Sequence, residues 1–284
     1  MKLKVTIVGL GLIGGSLGMA IKKKNLARVI GLTRDKEKAE QALSMKAVDY
    51  ASTNIKGIIQ GSDIIFICYP IHLIVPEIQK IVQFANPGTI ITDVGSSKEW
   101  VVKNAEKLMP RSVFFVGGHP MAGKEITGLE AAEAGLFQGK KYILTKTRKT
   151  NLKSLGILKT LLKKIGADVI VLDPKKHDQL VAGISHLPVA IAASLVDEVM
   201  SSGKDRSLME DLASTGFRDA TRVASGDPGL GTDMFTTNRE AVLSHIKMFK
   251  RSLSKLEALV KSGDPKKIEA KLRQIKEFRD SIYE

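Results

Sequence analysis

Short apolar runs rich in β-branched residues alternate with helical patterns through the first part of the chain. Seven runs predict strands, at residues 4–8, 29–32, 64–68, 89–93, 113–116, 142–145 and 168–172. Helical patterns lie between most of them, as at residues 13–23, 36–45 and 97–108. Because buried parallel strands have continuous apolar sequences, this alternation predicts an α/β fold with a doubly wound, mostly parallel sheet.

The pattern changes after Asp173-Pro174, beyond which no convincing strand is predicted. Residues 177–200 form a long helical pattern in which Pro188 is expected to produce a kink. Apolar residues recur at helical spacing from 242 to 260, and Asp264-Pro265 is typical of a further helix start. We therefore predict two domains, an α/β domain at 1–173 and an all-helical domain at 174–284, and the two amphipathic helices at the C-terminus suit a homodimer interface.

The bulk properties of the 284-residue chain narrow the possible classes of protein. The chain lacks an unbroken apolar run of ~18 residues and a signal-peptide pattern, so we expect no membrane span. A single cysteine, Cys68, suits a reducing cytoplasm. The formal net charge of +14 is compatible with nucleic acid or with small anions, but the basic residues are scattered and only 5% of residues are aromatic, which argues against nucleic acid.

A glycine-rich turn follows the first predicted strand and opens the first predicted helix. In Gly9-Leu10-Gly11-Leu12-Ile13-Gly14, the first glycine allows a tight turn and the second allows close approach of a pyrophosphate. The third lets the helix pack against the strand, and the helix N-terminus faces the phosphates. The predicted dinucleotide site therefore includes Gly9, Gly11, Leu12, Ile13 and Gly14.

The end of the second predicted strand indicates which dinucleotide binds. An NAD site usually has a carboxylate near position 33, whereas this chain has Thr33 followed by Arg34. A hydroxyl and a guanidinium suit a 2′-phosphate, so we favour NADP over NAD. Asp35 would supply the missing carboxylate if the loop were one or two residues out of this register.

A histidine in an unusual setting follows the predicted strand at 113–116. His119 lies in Gly117-Gly118-His119-Pro120-Met121-Ala122-Gly123, where a ligand-binding edge of the sheet is expected. Downstream lie Ser185-His186-Leu187-Pro188 and a segment from Gly216 to Arg222. The remaining histidines, His72, His177 and His245, give no functional signal, and the five histidines have no metal-ligand spacing, so no metal is expected.

These motifs together resemble those of the prephenate/arogenate dehydrogenase family. The resemblance runs in order along nearly the whole chain, through residues 9–14, 93–96, 118–123, 185–188 and 216–222. The segments around His119 and His186 are specific to the family, whereas the glycine turn is not.

The resemblance implies a Rossmann domain, a helical dimerisation domain, and a cyclohexadienol substrate that carries a ring carboxylate. His119 matches the catalytic base, Ser96 a serine that helps hold the substrate hydroxyl near the nicotinamide, and Arg222 a carboxylate-binding arginine. The other residues predicted to bind substrate are His186, Asp219, Gly216 and Lys124, and those added to the cofactor site are Tyr69, Pro70 and Ser96.

Several alternatives remain at this stage. Lys124 stands where many family members have Ser or Thr, and the stretch containing Gly231 resembles NADP-dependent arogenate enzymes, which favours arogenate over NAD-dependent oxidation of prephenate. Ser96 is alternatively an N-cap of the helix predicted from Ser97. The rival functions are a β-hydroxyacid or imine dehydrogenase and a dinucleotide-sensing regulator without turnover.

Overall fold

The main sheet of the protein has the strand order of a dinucleotide-binding fold. A computed structural model of the chain describes residues 3–124, 126 and 128–283. All neighbouring strands of this sheet are parallel, in the order β3-β2-β1-β4-β5-β6, which confirms the predicted fold class. The strands are β1 (Lys4–Val8), β2 (Arg28–Leu32), β3 (Tyr50–Ser52), β4 (Ile64–Ile67), β5 (Ile90–Asp93) and β6 (Phe114–Val116).

Helices cover both faces of this sheet. Successive residues of β4 enter different apolar clusters, with Ile64 and Phe66 in one and Ile65 and Ile67 in the other. This alternation explains why the strand has a continuous apolar sequence. The helices between these strands are α1 (Leu12–Lys23), α2 (Lys36–Ser44), α3 (Ile55–Ile59), α4 (Ile71–Ile81) and α5 (Glu99–Leu108), with a 3₁₀ turn at Val82–Phe84.

A second, three-stranded sheet follows directly after β6. It contains β7 (Gly118–Pro120), β8 (Lys141–Thr145) and β9 (Asp168–Leu172), with α6 (Leu152–Lys164) between the last two. Strand β7 is antiparallel to β8, whereas β8 is parallel to β9. The sequence did not predict β3 or β7, because neither segment contains a β-branched residue or a continuous apolar run.

The long helical pattern after Asp173 contains a wider turn. Helix α7 (Pro174–Val181) leads through a π-helical segment, Ala182–His186, into α8 (Leu187–Met200). Pro188 lacks an N–H and its ring crowds the carbonyl four residues earlier, within the π segment, so the wider turn accommodates the proline. The combined run Pro174–Met200 is long and apolar enough to cross a membrane by length and composition alone, a feature that the sequence analysis did not identify.

Three shorter helices complete the larger of two compact units, Met1–Arg239. Helix α10 (Thr215–Thr221) and the 3₁₀ turn Arg222–Ser225 both pack against α8. The carboxylate of Asp227 accepts hydrogen bonds from two backbone N–H groups at the start of α11. The helices are α9 (Arg206–Leu212), which follows a 3₁₀ turn at Gly203–Asp205, α10 (Thr215–Thr221) and α11 (Pro228–Thr237).

The smaller unit, Glu240–Glu284, is helical in its described residues. It comprises α12 (Arg239–Ser262), whose first residue belongs to the larger unit, and α13 (Pro265–Tyr283). Asp264 accepts hydrogen bonds from the backbone N–H groups of Lys266 and Lys267, which confirms the predicted start of the last helix. The predicted domain boundary between residues 173 and 174 stays a prediction. The division into compact units falls further along the chain, between Arg239 and Glu240.

Candidate active site

The glycine-rich turn between β1 and α1 forms a cradle for a phosphate group. Gly9 has φ +97°, a conformation that side chains disfavour. A Cβ on Gly14 would lie 2.0 Å from the carbonyl oxygen of Gly9, whereas a Cβ on Gly11 would meet open space. The first turn of α1 contains no acidic residue. The residues present therefore fit a dinucleotide pyrophosphate.

A hydroxyl and a guanidinium follow the end of β2. Thr33 is buried, and the guanidinium of Arg34 lies 4.9 Å from the ring centre of Tyr69 and 3.4 Å from the carboxylate of Glu77. Asp35 caps α2 by accepting a 2.8 Å hydrogen bond from Glu37 N–H. The Asp35 carboxylate is therefore engaged as a helix cap, whereas the predicted cofactor residues Thr33 and Arg34 directly follow the end of β2.

Tyr69 and Pro70 lie where β4 leads into α4. Pro70 is the N-cap residue of α4. A Cβ on Gly9 would lie 3.3 Å from the Tyr69 ring, so this ring borders the glycine turn. Burial raises the pKa of Tyr69, with Glu77 adding to the effect and Arg34 opposing it. These residues therefore lie beside the predicted cofactor site.

His119 lies in the centre of β7 and is 7% exposed. Its backbone pairs with Ile143 of β8, which fixes the position of the side chain. Burial lowers the pKa of His119 well below its ordinary value, and nearby His177, Lys98 and His186 add to this effect. The ring is therefore neutral near pH 7 and able to accept a proton.

A buried ion pair joins β5, the loop before α5 and β7. The carboxylate of Asp93 accepts hydrogen bonds from Gly95 N–H at 2.8 Å and from Gly118 N–H at 3.1 Å, and forms an ion pair with Lys98. The Lys98 ammonium also donates to the Gly118 carbonyl at 2.7 Å. Burial lowers the pKa of Lys98 while Asp93 opposes this shift. The pair therefore anchors the residue immediately before His119.

Ser96 lies in the loop that this ion pair anchors. Its hydroxyl oxygen is buried and has no hydrogen-bond partner among the residues that the structure describes. Helix α5 begins at Glu99, and the carboxylate of Asp178 caps it by accepting hydrogen bonds from Lys98 N–H at 2.6 Å and Glu99 N–H at 2.8 Å. The predicted helix start at Ser97 is therefore wrong, and so is the alternative interpretation of Ser96 as its N-cap, because a side chain from α7 supplies the cap.

His177 forms a hydrogen-bonded chain with His119 and Asp178. The Nδ1 atom of His119 lies 2.8 Å from Nε2 of His177, and Nδ1 of His177 lies 2.7 Å from Oδ1 of Asp178. All three side chains are buried. The sequence analysis found no functional signal at His177, since no motif links two histidines that are 58 positions apart, whereas the structure places its ring against His119. The adjacent His177-Asp178 pair near a helix start was the only available signal.

His186 ends the π-helical segment and is fully buried. Its Nδ1 atom lies 3.2 Å from the side-chain nitrogen of Asn238, while its Nε2 atom is buried and has no hydrogen-bond partner in the described part of the chain. Burial lowers the pKa of His186 to about 4, although Asp178 opposes the shift. The neutral ring therefore presents one unsatisfied polar atom, and Asn238 is a further residue that the sequence analysis missed.

Two sequence models that together span most of the chain match it. The nucleotide-binding domain of prephenate dehydrogenase matches residues 17–171, and its dimerization domain matches residues 173–274. The chain belongs to the prephenate dehydrogenase family. This confirms the resemblance seen in the motifs and sets aside the regulator and the β-hydroxyacid dehydrogenase, because members of this family are oxidoreductases that act on prephenate or arogenate.

Relatives within the prephenate dehydrogenase family cover the chain almost completely. It is 35% identical to prephenate dehydrogenase of Bacillus subtilis, over 99% of this chain and 76% of that protein. The structure of Synechocystis arogenate dehydrogenase has a TM-score of 0.87 at 36% identity, covering 99% of this chain and 100% of that one. Prephenate dehydrogenase from A. aeolicus, in complex with hydroxyphenyl propionate and NAD+, has a TM-score of 0.91 at 30% identity, covering 99% and 98%.

The other residues predicted to bind substrate in this family member lie on loops and on α10. Lys124 forms a 2.9 Å ion pair with Glu133, and the exposed Asp219 pairs with Arg218 at 3.2 Å. Gly216 lies in the first turn of α10, and the exposed Arg222 begins the following 3₁₀ turn. Within the described part of the chain, no group of three His, Cys, Asp or Glu side chains is arranged to hold a metal ion.

Proposed function

We propose that this protein catalyses the oxidative decarboxylation of arogenate, with prephenate as the alternative substrate, using NADP on a route to tyrosine. The observation that carries the proposal is a neutral, buried histidine, His119, whose pKa is lowered in part by His186. Two buried polar atoms, Ser96 Oγ and His186 Nε2, have no hydrogen-bond partner among the described residues. Lys98 links the Ser96 loop to the residue before His119. Unsatisfied polar atoms are costly unless a ligand pairs with them.

His119 acts as the general base in this proposal. The substrate hydroxyl donates to Nε2 of His119, which takes the proton as the carbinol carbon loses hydride. A dinucleotide held by the turn Gly9–Gly14 would supply the oxidised nicotinamide as the hydride acceptor. The ring carboxylate then leaves as carbon dioxide, its bonding electrons enter the ring, and the oxygen becomes a phenolate. His119 returns its proton to that oxygen, so no net proton is released.

The remaining polar groups orient the substrate. Ser96 Oγ accepts from or donates to the substrate hydroxyl, and His186 Nε2 donates to an oxygen of the substrate. Arg222 binds a substrate carboxylate through its planar guanidinium, which suits two parallel hydrogen bonds. Gly216, Asp219 and Lys124 are proposed to line the substrate side of this site.

NADP is the proposed cofactor because of the groups that follow β2. Thr33 and Arg34 offer hydrogen bonds and a positive charge to a 2′-phosphate, while Asp35 is engaged in capping α2. Tyr69 and Pro70 border the same edge of the sheet, and the turn Gly9–Gly14 holds the pyrophosphate. Arogenate is preferred on the sequence around Gly231, which lies in the first turn of α11.

A homodimer is proposed as the assembled form. The part of the chain that matches the family's dimerization domain has large apolar side chains exposed to solvent. They include Leu195 and Met200 on α8 and Leu208 and Leu212 on α9. A second copy that covers this surface accounts for the long apolar helix without a membrane.

Initial rates of NADPH and NADH formation with arogenate and with prephenate test the proposal, for wild type and for His119→Asn. We expect turnover of arogenate with NADP that falls by about 100-fold or more in the variant. Faster turnover of prephenate, or of NAD, would overturn the substrate or cofactor assignment while leaving the base. No turnover in any combination would overturn the proposed function.

A further inference from the structure

Asp178, His177 and His119 form a hydrogen-bonded chain. The Asp178 carboxylate, at one end of it, determines which atom donates and which accepts in each hydrogen bond. Asp178 accepts two backbone N–H groups at the start of α5, so its oxygens act as acceptors. The Nδ1 atom of His177 therefore donates to Asp178 at 2.7 Å. In neutral His177 the other nitrogen, Nε2, then carries a lone pair and accepts a hydrogen bond.

The same reasoning fixes the tautomer of His119. Its Nδ1 atom lies 2.8 Å from His177 Nε2. Because His177 Nε2 accepts, Nδ1 of His119 carries the hydrogen. Its Nε2 atom is consequently left with a lone pair. A neutral imidazole with this arrangement accepts a proton at Nε2, whereas the opposite tautomer does not.

We propose that His177 and Asp178 are positioning residues that hold His119 in the Nδ1–H tautomer and so keep Nε2 ready to take the substrate hydroxyl proton. The inference rests on the proposed function, in which His119 is the base. When His119 is protonated, its Nδ1–H bond to His177 persists, and the carboxylate of Asp178 lies at the far end of the chain to stabilise the positive charge.

Asp178 links this tautomer to the position of the Ser96 loop. Its Oδ1 atom accepts from both His177 and Lys98 N–H, while Oδ2 accepts from Glu99 N–H. One carboxylate therefore fixes the base and the start of α5, immediately after Ser96. Because Asp178 also caps α5, a substitution there would disturb the helix start. A substitution of His177 therefore tests the tautomer more directly.

The tautomer is measured directly by NMR of the full-length protein labelled with ¹⁵N-histidine, recorded at pH 8 with and without NADP. Long-range proton–nitrogen correlations distinguish a protonated from an unprotonated ring nitrogen, and the His119 signals are those lost in His119→Asn. We expect protonated Nδ1 and unprotonated Nε2. A protonated Nε2, which a positively charged His177 would impose by donating to His119, overturns the proposal.

Kinetics of two variants separate positioning from a merely structural role. Glutamine at position 177 retains an oxygen that accepts from His119 Nδ1, whereas leucine does not. We expect His177→Leu to lower kcat by about 100-fold with KM values changed less than about threefold, and His177→Gln to recover at least a tenth of wild-type kcat. The acidic limb of the kcat/KM profile should also shift in the leucine variant.

His72→Leu is the matched control, because it removes a histidine that bonds to a different carboxylate, Asp233. Equal losses in the leucine and glutamine variants at position 177, with an unchanged NMR tautomer, would overturn the positioning role. If wild type turned over neither substrate, the proposed function would fail, while the NMR result would still decide the tautomer.

Discussion

The side-chain nitrogen of Asn238 lies 3.2 Å from Nδ1 of His186 and 2.9 Å from the carbonyl oxygen of Asp178. A carbonyl oxygen only accepts, so this contact fixes which end of the amide is nitrogen. The amide therefore donates to both atoms, and His186 Nδ1 is an acceptor. His186 consequently carries its hydrogen on Nε2, the buried atom that has no partner in the described structure.

This arrangement predicts that His186 donates a hydrogen bond to the substrate. His186→Leu should raise the KM for substrate by about 10- to 100-fold, the usual effect of losing a hydrogen bond to a charged acceptor. His186→Gln, which keeps a donor, should retain most of the affinity, and Asn238→Leu should give an intermediate loss. Steady-state kinetics at saturating NADP measure these values. A similar KM in the leucine and glutamine variants would contradict the donor role.

Arg34 should determine the preference between the two dinucleotides. Its ion pair with Glu77 is exposed on the arginine side and adds little stability, so Arg34→Ala should leave the melting temperature nearly unchanged. The variant should lose about 10- to 100-fold in kcat/KM for NADP and less than about threefold for NAD. The control is Lys24→Ala, which removes an exposed cation at the C-terminal end of α1, opposite the glycine turn. Parallel losses with both cofactors would count against a phosphate contact.

How far the sequence predicted the site depends on how local each interaction is. The phosphate cradle was predictable, because Gly9 and Gly14 are five residues apart and their strand, turn and helix are contiguous. The hydrogen bonds of His119 and His186 were not, because their partners lie 58 and 52 residues away. The start of α5 was misplaced for the same reason, since its cap comes from Asp178 on α7.

Acid should destabilise the protein through its buried histidines. The pKa of His186 is about 4 in the folded protein against 6.5 ordinarily, so above pH 6.5 neither state binds the proton. Below pH 6.5 the unfolded chain binds a proton that the folded protein does not, and the free energy of unfolding decreases as pH falls towards 4. His119 contributes in the same direction because its pKa is also lowered.

Between pH 7.5 and 5.0 the contribution of His186 is about 2 kcal/mol. Urea unfolding at the two pH values, at one protein concentration, measures it. His186→Gln should lose correspondingly less stability over this interval. Equal losses in the variant and in wild type would show that His186 is not the group responsible.

Replacing only Lys98 of the Lys98–Asp93 ion pair should lower the free energy of unfolding more than replacing both residues. Lys98→Met leaves the buried Asp93 carboxylate without its cation, so it should lower the free energy of unfolding by about 3–5 kcal/mol. Adding Asp93→Asn removes the uncompensated charge and should restore part of that loss, although the amide accepts less well from Gly95 and Gly118 N–H. Denaturant unfolding of both single variants and the double variant measures the coupling. Additive losses would show that the two side chains act independently.

Since Lys98 also bonds to the Gly118 carbonyl, the double variant should regain stability without regaining full activity, because the residue before His119 is no longer anchored.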